Sequence, residues 1–135
     1  MKALDTSVLL SVLHGERNVR ELLRRLRGVE VATTELNLLE LQSIANRGPA
    51  KARAHRRAAI DRLRRTLTVL PYDGRAAERM ARRPPREDFR DVSPLVPAML
   101  GILEANGCDE LFTADPSAIP GRWSYRVTKF VGSLR

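Results

Sequence analysis

Short apolar runs, each closed by an acid or a small hydroxyl residue, alternate along the chain with apolar positions at helical spacing. Lys2-Ala3-Leu4 reads as a brief buried strand ending at Asp5. Thr6-Ser7 then stands where a cap belongs, ahead of a helix carrying Val8, Leu9, Leu10, Val12 and Leu13. Val19, Leu22, Leu23 and Leu26 recur at spacings of three and four, which predicts a second helix closed by Gly28. Val29 to Thr34 alternates and is β-branched, the pattern of a strand. From Glu35 the helical period returns through Leu36, Leu39, Leu41, Ile44 and Ala45 and stops near Gly48-Pro49.

A helix with Ala54, Ala58, Ile60, Leu63 and Leu67 as its inner face is predicted next, then a strand at Thr68-Val69-Leu70 broken by Pro71. Gly74 to Arg83 predicts a short helix with Ala77, Met80 and Ala81 inward, and residues 84 to 93 a polar loop. Pro94 opens a helix carrying Leu95, Met99, Ile102 and Leu103, with Gly107 as its stop. Glu110 to Thr113 is a strand followed at once by Asp115, and Ser124 to Val131 is the final strand. Short strands alternating with helices predict an α/β fold, a short central parallel sheet covered on both faces, built as one domain over residues 1–135.

Composition narrows the class. The chain has 135 residues, 43% of them hydrophobic, enough for a real core, and its one cysteine, Cys108, excludes a disulfide scaffold. No apolar run approaches the ~18–20 residues that span a bilayer, and Asp5 interrupts the stretch a signal peptide would need. A cytoplasmic protein with no membrane partner is the expectation. The net charge is +8, and between Arg47 and Arg65 stand eight basic residues against the single acid Asp61. Charge so concentrated suits a polyanion such as nucleic acid, although a solvated face has the same composition.

The candidate chemistry lies in acids at strand ends. Asp5 follows the first strand, Asp115 follows the strand at Glu110–Thr113, and Glu40 lies in the helix after the Val29–Thr34 strand. Ligands of an open parallel sheet sit beyond the carboxyl ends of its strands, so these three acids can meet at one edge. Carboxylates ~4 Å apart repel by a few kcal/mol per pair at an effective dielectric near 20. A divalent cation relieves that cost, and an all-oxygen donor set favours Mg²⁺ or Mn²⁺, which can activate water against a phosphodiester. The plainer reading of an Asp after a strand is a helix cap, and it applies to Asp5 and Asp115 taken singly and to Asp73. His14 and His55 have no partner pattern, Cys108 lacks a second cysteine, and no phosphate-binding glycine fingerprint occurs. Trp123 and Tyr125 either stack bases or anchor the last strand.

Leu4-Asp5-Thr6-Ser7-Val8-Leu9, then Thr33-Thr34-Glu35-Leu36-Asn37-Leu38-Leu39-Glu40-Leu41, then Asn106 to Asp115 resemble, in order, the motifs of the PIN domain, and most closely the VapC-type toxins of toxin–antitoxin pairs. Val69 to Asp73 and Ile119-Pro120-Gly121 extend the likeness over nearly the whole chain. The resemblance implies a three-layer α/β/α sandwich and a Mg²⁺- or Mn²⁺-dependent endoribonuclease, homodimeric and silenced by a cognate antitoxin. It assigns Asp5, Glu40 and Asp115 as metal and catalytic acids, with Thr113 as a supporting hydroxyl and Thr6 or Ser7 supporting Asp5. RNA would then meet Lys51, Arg53, Arg56 and Arg57, or that face would meet an acidic antitoxin segment. One departure stands out: the family's third acid falls on Val96. Asp91, or Asp88, can substitute from the preceding loop; otherwise the chain is a non-catalytic PIN-like module that binds RNA or a partner protein.

Overall fold

A computed structural model of the chain describes residues 1–82, 95–119 and 123–130. Its five strands are β1 (Lys2–Leu4), β2 (Val31–Thr34), β3 (Thr68–Leu70), β4 (Glu110–Thr113) and β5 (Arg126–Lys129). All neighbours pair in parallel, in the order β3-β2-β1-β4-β5. The helices are α1 (Thr6–Leu13), α2 (Arg17–Arg25), α3 (Glu35–Ala45), α4 (Ala50–Thr66), α5 (Gly74–Ala81) and α6 (Leu95–Ala105).

Alternation along such short strands sorts the core into two layers. Leu4 and Phe112 point to one face, where they meet Val8, Leu9, Leu22, Leu38, Leu41 and Ile60 from α1 to α4. Ala3, Ala32, Leu70 and Leu111 point to the other and meet Ala76 of α5 and Met99, Leu100, Ile102 and Leu103 of α6. The expected α/β/α sandwich with a short parallel sheet is therefore the observed architecture. Each wholly buried leucine contributes roughly 1.5–3 kcal/mol. Cys108 sits in the second layer, and burial pushes its thiol up to about 11, so it is an apolar filler at neutral pH.

Several local expectations change. Asp5, not Thr6 or Ser7, caps α1, because the carboxylate reaches the Val8 amide at 3.2 Å. Val29 is exposed ahead of β2, and β5 is confined to Arg126–Lys129; Val131 lies outside the described residues. On α4 only Ile60 is fully buried, with Ala59 and Leu63 half-covered and Ala54 and Ala58 exposed, since the helix rolls to pack against α3 rather than the sheet. Ala76 takes the buried position on α5 that was assigned to Ala81, which is exposed. Asp73 caps α5 as expected, accepting from the amides of Arg75 and Ala76. Among the described residues no helix is long and apolar enough to cross a membrane.

The α5–α6 contact is set by Gly101. A Cβ there would stand 2.8 Å from Met80 Cγ and 3.0 Å from the Ala76 carbonyl oxygen. Helix propensity favours Gly101→Ala by ~1 kcal/mol, but overpacking against backbone costs about 1–3 kcal/mol. Gly101→Ala should therefore lower stability in urea denaturation, whereas a gain would show that the two helices separate freely.

Candidate active site at the carboxyl ends of the strands

Chain direction locates the site before any side chain is considered. From β1 the chain moves outward to β2 and β3, then returns to lay β4 on the other side of β1. The sheet order reverses between β1 and β4, and a crevice opens where the connections leave in opposite directions. Asp5 follows β1 and Asp115 follows β4, so both stand at this switch point.

Ser7 closes the gap. Its hydroxyl donates to Asp5 Oδ1 at 2.5 Å and accepts the Ala114 amide at 2.9 Å. One side chain thus fixes the Asp5 carboxylate and holds the exit of β4 beside it. Ser7 is the support that Asp5 receives, and Thr6 serves Glu40 instead. Thr6 Oγ1 lies 3.2 Å from Glu40 Oε1, to which it donates, and receives a hydrogen bond from Asn37 Nδ2 at 3.1 Å. Asn37 is the position beside the candidate site that the sequence alone did not single out. Its carbonyl oxygen accepts from Thr34 Oγ1 at 2.7 Å while its amide nitrogen touches Met99 Sδ at 3.2 Å, joining the α3 start to α1 and α6. A polar residue between Leu36 and Leu38, three places after a capping threonine, was the available signal.

The electrostatics separate this end of the sheet from the other. At the amino ends, Asp109 and Glu110 are matched by Lys2 at 2.9 and 3.3 Å, and Glu110 also by Arg126 at 3.4 Å. Among the described residues, no lysine or arginine pairs with Asp5, Glu40 or Asp115. Burial raises the Glu40 carboxyl above its usual value; the Thr6 hydroxyl opposes this, and the negative charge of Asp5 adds to it. Asp5 and Glu40 are therefore close enough to repel across Thr6. Asp115 stands at the same edge, but its Oδ1 accepts from the Ser117 amide at 3.1 Å and from the Ser117 hydroxyl, and its own amide bonds Thr113 Oγ1 at 3.3 Å. Among the described residues no three acid, histidine or cysteine side chains lie together as a ready-made metal cage. Asp5 Oδ2 and Glu40 Oε2 have no hydrogen-bond partner among the described residues, and such a pair of carboxylates suits Mg²⁺ or Mn²⁺, because Mg²⁺ keeps several waters and is held by one or two carboxylates.

The sequence profile of the PIN domain matches residues 2–103. The chain belongs to the PIN domain family. Among curated proteins no sequence matches it significantly. Its fold is shared with solved structures. DNA-bound VapBC from Salmonella typhimurium superposes at a TM-score of 0.79, with 18% identity over 96% of this chain and 98% of that one. VapBC-5 of Mycobacterium tuberculosis gives 0.65 at 24% identity over 95% and 97%. VapC20 of M. tuberculosis, described as a sarcin–ricin loop cleaving toxin, gives 0.65 at 20% identity over 87% and 94%.

Within this PIN domain, Val96 lies in the first turn of α6, half-buried against the α5–α6 core layer. That turn is at the site end of the molecule, since α6 descends from there to the start of β4. Asp88 and Asp91 lie outside the described residues. The basic candidates are displaced from the carboxylates. α3 and α4 form an antiparallel hairpin in which Arg64 meets Glu35 at 3.4 Å and Arg56 donates to the Ala45 carbonyl at 3.0 Å. Lys51 and Arg53 therefore extend past the far end of α3, and Arg56 serves as the cap of that helix.

A raised carboxyl in the folded state binds its proton more tightly there than in the unfolded chain. Glu40 thus costs no stability below the unfolded value near 4.5, and the cost grows as pH rises from there through the raised folded value. Glu40→Gln should melt higher than wild type at pH 7, with the difference vanishing in acid. Mn²⁺ should raise the melting temperature of wild type and do so less for Glu40→Gln; equal shifts would remove Glu40 from the cation site.

Proposed function

We propose that this PIN domain is a divalent-metal-dependent endoribonuclease of toxin type. The observation that carries the reading is the Asp5–Glu40 pair at the sheet's switch point, which no cation among the described residues compensates, tied by Ser7 to the strand end that bears Asp115. Asp5 uses Oδ1 for Ser7 and Val8, which leaves Oδ2 for a cation; Glu40 uses Oε1 for Thr6, which leaves Oε2. Asp5 and Glu40 would hold Mg²⁺ or Mn²⁺, and Asp115, whose Oδ1 serves Ser117, would offer its Oδ2 from the same edge. The ion supplies a Lewis acid and an activated water for attack at phosphorus. The chain's own contribution is placement: Ser7 and Thr6 orient the two carboxylates, and Thr113 steadies the backbone at Asp115.

The partners this reading implies are RNA, a second copy of the chain and a cognate antitoxin, in the cytoplasm. Solved neighbours described as a toxin–antitoxin complex from Klebsiella pneumoniae and as VapBC assemblies support the antitoxin. The apolar Val96 favours one second reading, a PIN-like module that binds RNA or protein without cutting it. Cleavage of mixed RNA separates the two. Partners behind a metal ligand are worth about 10–100-fold, so Ser7→Ala should lose that much, and Asp5→Asn about 100-fold or more. Equal activity in wild type and Asp5→Asn, or none with either Mg²⁺ or Mn²⁺, would overturn the nuclease site and favour the non-catalytic module.

A further inference from the structure

The linear charge pattern draws attention to α4, but folding assembles a second basic surface on α2. Arg17, Arg20 and Arg24 share one exposed face of that helix, opposite the buried Val19 and Leu22. The only acid on this face is Glu21, 3.9 Å from Arg17. Seven residues of helix place the outer arginines about 10 Å apart, long enough to meet successive phosphates. Beside this ridge runs an open cleft between α2 and β5, rimmed by Asn18, Glu21, Arg25 and Lys129, two cations against one acid, with the largely buried Phe112 and Phe130 beneath. Lys129 is in register with Thr113. The mouth of the cleft therefore lies at the carboxyl end of β4, two residues from Asp115.

A cationic rim along an open cleft suits a single strand, whose phosphates pair with the rim. On the α3–α4 hairpin Lys51, Arg53 and Arg57 are also exposed cations, but Arg56 is committed to the Ala45 and Arg47 carbonyls, and the end that carries Lys51 and Arg53 lies beyond the far end of α3, away from the carboxylates. We propose that single-stranded RNA runs from the Asp5–Glu40 edge through the α2–β5 cleft. Arg25 and Lys129 hold its phosphates first, then Arg17, Arg20 and Arg24. The direction of travel rests on the ribonuclease reading; the binding surface does not.

Binding is therefore tested without cleavage, in full-length Asp5→Asn protein with EDTA, by fluorescence anisotropy of a short labelled single-stranded RNA. Arg20→Glu with Arg24→Glu should weaken binding about tenfold or more at low salt. The slope of log affinity against log salt should fall by roughly 1.4, the value for two lost single-strand phosphate contacts. Lys51→Glu with Arg53→Glu should change affinity by no more than about twofold. Arg20→Lys with Arg24→Lys should retain binding, and serves as the folding-neutral comparison if the glutamate pair melts early. Four results would overturn the proposal: no RNA binding at low salt, an unchanged affinity in the α2 variants, a larger loss from the α4 pair, or α2 variants that keep RNA and lose an acidic protein partner instead. If wild type fails to cut RNA while the α2 variants lose binding, the nuclease reading falls and the surface stands.

Discussion

The hydroxyl of Ser7 is the contact on which the candidate site depends. A parallel sheet that reverses its order leaves the ends of two neighbouring strands to diverge, with backbone groups facing a gap that ladder pairing cannot close. Ser7 spans that gap, accepting the Ala114 amide and donating to Asp5. Asp5 in turn accepts the Val8 amide and begins α1. The site carboxylate is thus also the helix cap. The plain and the chemical readings of an acid after a strand are not rivals here: capping with Oδ1 fixes the direction in which Oδ2 points.

The two ends of the sheet show opposite treatments of buried negative charge. At the amino ends Asp109 and Glu110 each have a cation within salt-bridge distance, and their charges are spent on structure. At the carboxyl ends Glu40 is half-buried near Asp5 with only hydroxyl support, so the folded chain carries a cost there. Such an arrangement persists at functional sites, where local stability is given up for charge that a ligand can use. Thr6, itself held by Asn37, keeps the half-buried Glu40 carboxylate from being stranded.

Much of this could be read from residue order. Strand positions, the parallel α/β class and the acids at strand ends follow from period-two and helical patterns that pack as written. Helix faces were less legible. The alanines of α4 gave no gradient strong enough to show which side faces α3, and Ala54 and Ala58 proved exposed while Ile60 anchors the helix. Side-chain partnership was hidden as well: whether Thr6 or Ser7 serves Asp5 depends on a helix start whose phase is set by the Asp5 cap. The placement of charge in space was hidden too: the basic run lies along α4 of the hairpin, whereas the sparser Arg17, Arg20 and Arg24 of α2 gather on one exposed face.

β1 pairs with β4 through residues more than a hundred positions apart, Lys2 with Glu110 and Leu4 with Phe112. A contact of that span forms late, because chain closure must be completed before the pairing rewards it. The crevice beside Asp5 and Glu40 is thus walled by a strand far from both along the chain, so removing the chain from Glu110 onward would leave it open on one side.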